Sequence, residues 1–243
     1  MTHGGGEGVT TWLRLPGMLC TAAVFTVIDD LVEQPVPAVD LGLEGRTVEE
    51  AVDRLLDAVR RVPGPVGLMG QSLGAIVAMA ALVREPDAFA GAMLMSTNPR
   101  APRADQRRAW DDSAARVRAG GFDAVVTEIV ATMFARPDPP PPLLDLARRM
   151  AYEVGPERFL QQLDLQASRT DLRPLLSRVQ CPVLVVAGGR DRLCDMRAHE
   201  EIAVATPIAR LAVIAHAGHL FTLEDPEAAV RALGLPGRER TPA

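Results

Sequence analysis

The sequence lacks the features that mark membrane proteins, disulfide-rich secreted proteins and nucleic-acid-binding proteins. None of its apolar runs approaches the ~20 residues that a membrane-spanning helix needs. We therefore expect no membrane partner. It contains three cysteines, Cys20, Cys181 and Cys194. Because these three are odd in number and scattered, we expect no disulfide framework, and because none of them forms a C-x-x-C pair, we expect no zinc site. The chain has no excess of positive charge, with 31 acidic against 26 basic residues, so we expect no nucleic-acid partner.

The N-terminal segment also lacks a basic region followed by an apolar core, which is the pattern of a signal peptide. Together with the scattered cysteines, this absence predicts a cytoplasmic protein. The composition, with 48% hydrophobic and 23% charged residues, is typical of a globular domain. A chain of 243 residues is long enough for one large α/β domain, which would bury about 70–75% of the surface of its unfolded chain.

Short apolar runs alternate with helical patterns along most of the chain. Each run is short enough for a buried strand, and strands that alternate with helices predict a parallel sheet with helices on both faces. Thr47 and Glu50 have the spacing of a capping box, which predicts the start of a helix that reaches Val62. The six apolar runs are 9–15, 36–41, 66–69, 90–95, 182–187 and 210–215.

Residues 100–173 interrupt this alternation with four helical patterns and no strand. The helices have apolar stripes but no sheet of their own, so they need another surface to pack against. We therefore expect a core formed by residues 1–99 and 174–243 and a helical cap formed by residues 100–173. The six arginines between positions 100 and 118 are interleaved with aspartates, which favours a solvated face over an anion site. The helical patterns are 103–119, 122–134, 143–154 and 157–168, with a proline-rich spacer at 137–142.

One motif in this pattern indicates chemistry. Gly70–Gly74 reads Gly-Gln-Ser-Leu-Gly and lies between a predicted buried strand and a predicted buried helix. In that context a G-x-S-x-G sequence predicts a tight turn that exposes a nucleophilic serine, here Ser72. A Cβ at Gly70 or Gly74 would collide with the neighbouring strand or helix. The alternative is a glycine-rich turn that holds a serine by chance.

A serine hydroxyl needs a base to remove its proton, and histidine has a suitable pKa. Of the four histidines, His3 lies in the N-terminal segment, and His199 lies in a helical pattern where we expect it at the surface. His216 and His219 share one loop. We favour His219 because the preceding Gly218 gives the backbone freedom to swing the ring over the sheet.

The base needs an acid that holds its tautomer and stabilises the imidazolium. Asp191 directly follows a predicted strand and a glycine pair. The alternatives are that Asp191 only caps a turn and that Asp195 is the acid. Ser72, Asp191 and His219 each follow a strand, and groups at the carboxyl ends of parallel strands meet at one edge of the sheet.

Acyl transfer also needs donors for the developing oxyanion. We expect these to be the backbone N–H groups of Leu73, next to the nucleophile, and of Met18, in the loop after the first strand. Cys20 lies close to this loop, and we interpret it as a buried packing residue rather than a nucleophile.

These residues resemble the α/β-hydrolase superfamily, in its single-domain branch with a helical cap. Within it, the chain is similar to bacterial hydrolases whose first-strand loop reads L-P-G-M/L-L-C, here Leu15–Cys20. The resemblance covers about Val9 to Leu233 and includes, besides Gly70–Gly74, the segments 181–184, 189–191, 218–219 and 224–227. It implies an α/β-hydrolase fold with about six mostly parallel strands. In this superfamily the oxyanion loop usually reads His-Gly, whereas this chain has Pro16-Gly17. Ser72 excludes those members of the superfamily that use an aspartate as the nucleophile.

The sequence therefore predicts a serine hydrolase that uses no cofactor and no metal. Its substrate would be an ester, thioester or lactone of a small to medium apolar acyl compound, cleaved through an acyl-enzyme. The alternatives are the same triad used as an acid and base for cyclisation, elimination or C–C cleavage, and a binding protein with a vestigial triad. The apolar stripes of the cap are expected to line the substrate pocket with Trp110, Phe122, Ile129, Met133 and Phe159.

Overall fold

The computed structural model describes residues 9–34 and 36–237. Their centre is a six-stranded sheet with the order β2-β1-β3-β4-β5-β6. All five strand pairings are parallel, so the predicted six-stranded parallel sheet is confirmed. The strands are β1 (Thr11–Leu15), β2 (Ala38–Asp40), β3 (Val66–Gln71), β4 (Gly91–Met95), β5 (Val183–Gly188) and β6 (Ala209–Ile214).

Both faces of the sheet are covered by helices. The helices are α1 (Ala23–Asp29), α2 (Val48–Val59), α3 (Leu73–Arg84), α4 (Ala104–Arg118), α5 (Phe122–Thr132), α6 (Pro141–Ala167), α7 (Met196–Ala205), α8 (Phe221–Glu224) and α9 (Pro226–Ala232). Strand side chains alternate between the two faces, so Leu68 packs with α2 and α3 while Met69 packs with α1 and α8. Each fully buried side chain of this size contributes about 1.5–3 kcal/mol to folding. The uninterrupted apolar strands of the sequence follow from this burial on both faces.

Half of the predicted capping box at the start of α2 forms. The Thr47 hydroxyl accepts a hydrogen bond from the Glu50 N–H at 3.1 Å. The Glu50 carboxylate accepts from the Arg46 N–H at 2.8 Å rather than from the Thr47 N–H. The helix ends at Val59, three residues before the predicted end, where Arg60 begins a turn.

The helical segment between β4 and β5 consists of α4, α5 and α6. Helix α6 is broken at Gly155, where φ is 74° and ψ is 168°, and Pro156 begins its second part. These two parts correspond to the two helices predicted at 143–154 and 157–168. Helix α6 begins at Pro141, so the last two prolines of the predicted spacer belong to the first helical turn. Proline fits there because the N–H groups of a first turn have no intrahelical acceptor.

The loop that follows β5 and helix α8, which follows β6, hold the chain at the end of α5. The Arg192 guanidinium donates to the carbonyls of Ala131 and Phe134 at 2.9 and 3.1 Å. The Glu224 carboxylate accepts from the Ala135 N–H at 3.0 Å and from the Gly218 N–H at 2.8 Å. These hydrogen bonds place the helical segment over the carboxyl ends of the strands. Among the described helices, none is long and apolar enough to cross a membrane.

Candidate active site

Ser72 occupies a strained turn between β3 and α3. Its φ of 51° and ψ of −113° lie in a region that L residues rarely adopt. A Cβ at Gly70 would lie 2.5 Å from the Cα of Ala75, and a Cβ at Gly74 would collide with the carbonyl oxygen of Leu15. The turn is therefore built where the backbones of β1, β3 and α3 meet, and only glycine fits at its two ends.

Hydrogen bonds from the neighbouring strand hold the backbone of Ser72. Its N–H donates to the Met95 carbonyl at 2.8 Å, and the Thr97 hydroxyl donates to the Ser72 carbonyl at 3.0 Å. Both partners lie at or just beyond the end of β4. Because the N–H and the carbonyl of Ser72 are both bonded, the strained conformation is maintained by its surroundings.

His219 and Asp191 are paired by a hydrogen bond of 2.8 Å between Nδ1 and Oδ2. The Asp191 side chain is fully buried, and that of His219 is 3% exposed. The other carboxylate oxygen of Asp191 accepts from the N–H groups of Leu193 and Cys194 at 2.8 and 3.0 Å. Asp191 thus receives three hydrogen bonds, and His219 directs Nδ1–H towards it, which leaves Nε2 to accept a proton.

The charges of this pair support each other. Burial lowers the pKa of His219, but the charge of Asp191 and its hydrogen bond raise it, and the net shift is upward. Burial raises the pKa of Asp191, but the charge of His219, its hydrogen bond and the two backbone donors lower it, and the net shift is downward. Asp191 is therefore ionised at neutral pH and stabilises a proton on His219.

The other candidates for base and acid have different partners. His216 is exposed, and its Nε2 lies 2.7 Å from a carboxylate oxygen of Asp225. The Asp195 carboxylate accepts from the Ala198 N–H at 2.7 Å at the start of α7 and pairs with Arg100 at 3.1 Å. The structure thus joins His219 to Asp191 rather than to Asp195.

His199 is fully buried, so the expectation that it lies at the surface is wrong. Its Nε2 accepts a hydrogen bond from the Thr97 N–H at 3.0 Å, and its Nδ1 donates to the Asp195 carbonyl at 2.9 Å. Burial lowers its pKa below the usual value despite the bond to that carbonyl. Both ring nitrogens of the neutral imidazole have partners, so burial leaves no polar group unsatisfied.

The loop after β1 approaches the serine turn closely. A Cβ at Gly17 would lie 3.1 Å from the Cβ of Ser72 and would collide with the side-chain oxygen of Gln71. Met18 follows and lines the same cavity as Ser72. Leu73 N–H is the first donor of α3, and such donors have no intrahelical acceptor. Within residues 9–34 and 36–237, neither the Met18 N–H nor the Leu73 N–H donates to another residue, so both are free to bind an oxyanion.

Ser72 and His219 open into one cavity of about 360 Å³. The loops at the carboxyl ends of the strands form one side of it, and α4, α5 and the end of α6 form the other. Three of the predicted pocket residues, Trp110, Ile129 and Met133, line this cavity. A site enclosed between a sheet edge and covering helices suits a small or medium-sized organic substrate.

The structure places the other two predicted pocket residues, Phe122 and Phe159, in the hydrophobic core. Their ring centroids lie 6.0 Å apart, and Phe122 also contacts Tyr152 at 6.2 Å. Phe159 is fully buried, and neither phenylalanine is among the residues that line the cavity. These two rings therefore join α5 to α6 and do not contact the cavity.

Several polar residues that were not predicted as site residues also line the cavity, among them Arg169, Gln166 and Cys194. Gln166 lies at the end of α6 and Arg169 just after it, and both are buried at the cavity wall. Cys194 lies three residues after Asp191, in the same turn. Within the described parts of the chain, Asp191, Cys194 and His219 form one group whose donor atoms, within 4.8 Å of one another, could hold a metal ion. Cys194 could have been found from the sequence because it lies in the turn that holds Asp191, whereas no local pattern marks Arg169.

Comparisons with known proteins agree with this architecture. A sequence model described as the Alpha/beta hydrolase family matches residues 1–233. The pimeloyl-[acyl-carrier protein] methyl ester esterase of Chromobacterium violaceum is 28% identical over 239 residues, which cover 96% of this chain and 91% of that protein. The enzyme of the same name from Neisseria meningitidis serogroup C is 27% identical over 220 residues, which cover 83% and 84% of the two chains.

Solved structures of low sequence identity share the fold. A thermophilic esterase from Thermogutta terrifontis superposes with a TM-score of 0.80 at 24% identity, over 94% of this chain and 89% of the esterase. MenH from S. aureus superposes with a TM-score of 0.82 at 19% identity, over 94% and 93% of the two chains. The expected α/β-hydrolase fold is confirmed. Because the family model covers nearly the whole sequence, the chain belongs to the alpha/beta hydrolase family and is an enzyme of the hydrolase class.

Proposed function

We propose that this hydrolase is a serine esterase in which Ser72 is the nucleophile, His219 the base and Asp191 the acid that orients it. The observation that carries the proposal is the 2.8 Å hydrogen bond between His219 and the buried Asp191. The ring it orients opens into the cavity that also holds Ser72 on its strained turn. The activity named for the relatives from Chromobacterium and Neisseria, methyl ester hydrolysis, supports an ester as the substrate class.

The reaction would proceed in two halves. The Ser72 hydroxyl attacks the ester carbonyl while His219 Nε2 takes its proton, and Asp191 stabilises the resulting imidazolium. The carbonyl oxygen becomes an oxyanion and accepts hydrogen bonds from the N–H groups of Leu73 and Met18. His219 then gives the proton to the alcohol, which leaves an acyl group on Ser72. A water molecule attacks this acyl-enzyme by the same steps in reverse and releases the acid.

We propose further that residues 100–173 act as a cap on a core formed by residues 1–99 and 174–243. The support is the cavity itself, since α4, α5 and the end of α6 supply one of its walls. The volume of about 360 Å³ suits an acyl chain of small to medium size. Trp110, Ile129 and Met133 offer apolar contacts to such a chain.

The test is hydrolysis of p-nitrophenyl esters by the full protein and by Ser72→Ala. Loss of one triad member costs about 10⁴- to 10⁶-fold in kcat, so the variant should be inactive but folded. Ser177→Ala is the matched control, because Ser177 is exposed in a turn outside the cavity and should leave kcat unchanged. Reaction in ¹⁸O-labelled water should place the label in the acid product.

Two outcomes would contradict the proposal. Turnover by Ser72→Ala within tenfold of the unchanged protein would remove Ser72 from the mechanism. If no ester is hydrolysed although Ser72 reacts with a covalent serine probe, the triad would instead serve as an acid and base for cyclisation, elimination or C–C cleavage.

A further inference from the structure

The guanidinium of Arg169 is a buried cation without an anionic partner at the wall of the cavity. The residue is 5% exposed and lines the same cavity as Ser72. Within residues 9–34 and 36–237, no aspartate or glutamate lies within ion-pair distance of it. Buried arginines in proteins are almost always paired, so an unpaired one facing a substrate cavity requires an explanation.

The local contacts of Arg169 leave most of its donors free. Its Nε–H donates to the Gln166 carbonyl at 3.1 Å. Its Cζ lies 5.2 Å from the ring centroid of Trp110, a contact that stabilises the cation by its flat face. In the described part of the chain, no residue accepts a hydrogen bond from Nη1 or Nη2. The four N–H groups at the end of the side chain therefore have no partner among the residues that the structure describes.

The neighbouring groups do not neutralise this charge. Burial lowers the pKa of Arg169 to about 10, so the guanidinium remains protonated at neutral pH. Of the nearby groups, Cys194 favours its protonation and Arg107 opposes it. Glu128 also lines the cavity, but its carboxylate is bound by Arg116 at 2.6 and 2.7 Å.

A second unpaired polar group lies beside Arg169. The side-chain oxygen of Gln166 is buried and has no hydrogen-bond partner among the described residues. Gln166 also lines the cavity. Two buried side chains on one wall, each with polar atoms that no described residue binds, indicate that this part of the cavity is built to bind a polar group, whereas the wall near Ile129 and Met133 is apolar.

We propose that Arg169 binds a carboxylate of the substrate, so that the enzyme cleaves esters that carry a free carboxylate at the end remote from the reacting carbonyl. This inference rests on the proposed function. A planar guanidinium with free N–H groups matches a carboxylate in shape and charge. The carboxylate of the ligand would pair with the guanidinium, which no described acidic residue does, and Trp110 would hold the guanidinium in place. The substrate would thus be an apolar chain with one anionic end rather than a fully apolar acyl compound.

The test compares two matched series of p-nitrophenyl esters. One series consists of monoesters of dicarboxylic acids from succinate to suberate, and the other of neutral esters of the same chain lengths. We expect the unchanged protein to prefer the acidic ester at one or more lengths. Arg169→Gln should lower kcat/KM for that acidic ester by about 10- to 100-fold, through KM, and leave kcat/KM for the neutral ester within about threefold.

The matched control is Arg108→Gln, which removes the same charge from an exposed position on α4. It should leave both series unchanged. Arg169→Lys keeps the charge but loses the planar fork, so its preference for the acidic ester should lie between those of the unchanged protein and Arg169→Gln. Thermal unfolding of each variant shows whether it is folded.

Direct binding separates this inference from the esterase proposal. Isothermal titration calorimetry should show that Ser72→Ala binds the monomethyl ester of adipate. Adding Arg169→Gln to this variant should weaken that binding at least tenfold. Equal rates with acidic and neutral esters, or a preference that survives Arg169→Gln, would overturn the inference. If no ester is hydrolysed, the esterase proposal fails, and the calorimetric titration still decides whether Arg169 binds carboxylates.

Discussion

Replacing Asp191 by Asn should reverse the tautomer of His219. In the structure, one carboxylate oxygen accepts from the N–H groups of Leu193 and Cys194, and the other accepts from His219 Nδ1. An amide has only one oxygen, and the two backbone donors require it. The amide NH₂ group must then face Nδ1, and Nδ1 must accept a hydrogen bond from it. The ring proton therefore moves to Nε2, and His219 can no longer accept a proton from Ser72.

The size of the loss follows from these hydrogen bonds. A flipped amide that keeps the productive tautomer forfeits two backbone hydrogen bonds, each worth about 1 kcal/mol. The productive state would then be populated about 30-fold less. Loss of the negative charge that stabilises the imidazolium lowers turnover further, and in serine hydrolases this type of change lowers kcat about 10⁴-fold. We expect kcat to fall about 10³- to 10⁴-fold with little change in KM, because Asp191 does not line the cavity.

The pH profile of the residual activity gives an independent readout. Burial lowers the pKa of His219 and Asp191 raises it, with a net upward shift. The base acts in its neutral form, so kcat/KM of the unchanged protein should rise with pH through a midpoint above 6.5, the ordinary value. Asp191→Asn removes the charge and the hydrogen bond of Asp191, which are the largest raising causes, and leaves the burial, so its midpoint should move to lower pH.

The control is Asp195→Asn, the same chemical change four residues away. Asparagine caps a helix about as well as aspartate, so the start of α7 should persist, and kcat should stay within about threefold. Steady-state hydrolysis of a p-nitrophenyl ester between pH 5 and pH 10 measures both variants. A kcat within tenfold of the unchanged protein in Asp191→Asn, or a large loss in Asp195→Asn, would refute the assignment of Asp191.

Four further variants test the roles of Cys20, the serine turn and the two aromatic residues of the helical segment. Cys20→Ser should keep most of the esterase activity, because burial raises the pKa of the Cys20 thiol to about 12 and makes it a poor nucleophile; complete inactivation of a folded variant would contradict this. Gly74→Ala should lower the melting temperature and the activity together, since its Cβ would collide with the Leu15 carbonyl; circular dichroism and ester hydrolysis would detect a variant that escapes both effects. Trp110→Ala should shift the preferred ester chain length, whereas Phe159→Ala should lower the free energy of unfolding by about 3–5 kcal/mol without such a shift; urea unfolding and the ester series would show the reverse if Phe159 shaped the pocket.

The sequence predicted the sheet because its strands are buried on both faces. Such strands are short, uninterrupted apolar runs, and the Gly-Gln-Ser-Leu-Gly motif marks the passage from one strand to a helix. Ser72, Asp191 and His219 each follow a strand, and parallel strands bring their carboxyl ends to one edge. The proximity of these residues could therefore be predicted without a structure.

The lining of the cavity could not be predicted to the same extent. An apolar stripe on a helix shows that one face avoids water, but a hydrophobic core and an apolar pocket require the same residues. Trp110 faces the cavity and Phe159 faces the core, although both belong to apolar stripes. The tertiary packing of α4, α5 and α6 decides between the two environments.

Two buried polar residues were also beyond sequence reasoning. His199 and Arg169 belong to residue types that are usually exposed or half-exposed. The burial of His199 is satisfied by the Thr97 N–H and the Asp195 carbonyl, partners that only the fold brings together. Arg169 is buried with most of its donors unpaired, so no pairing pattern in the sequence could reveal it.

The most direct test of the central claim is the site of covalent labelling by a fluorophosphonate, identified by mass spectrometry of the digested protein. We expect one adduct, on Ser72, that forms in parallel with the loss of ester hydrolysis. We expect no adduct in Ser72→Ala and much slower labelling in His219→Ala, because the base that activates the hydroxyl is absent. Labelling of another residue, with ester hydrolysis persisting in Ser72→Ala, would contradict the assignment of Ser72 as the nucleophile.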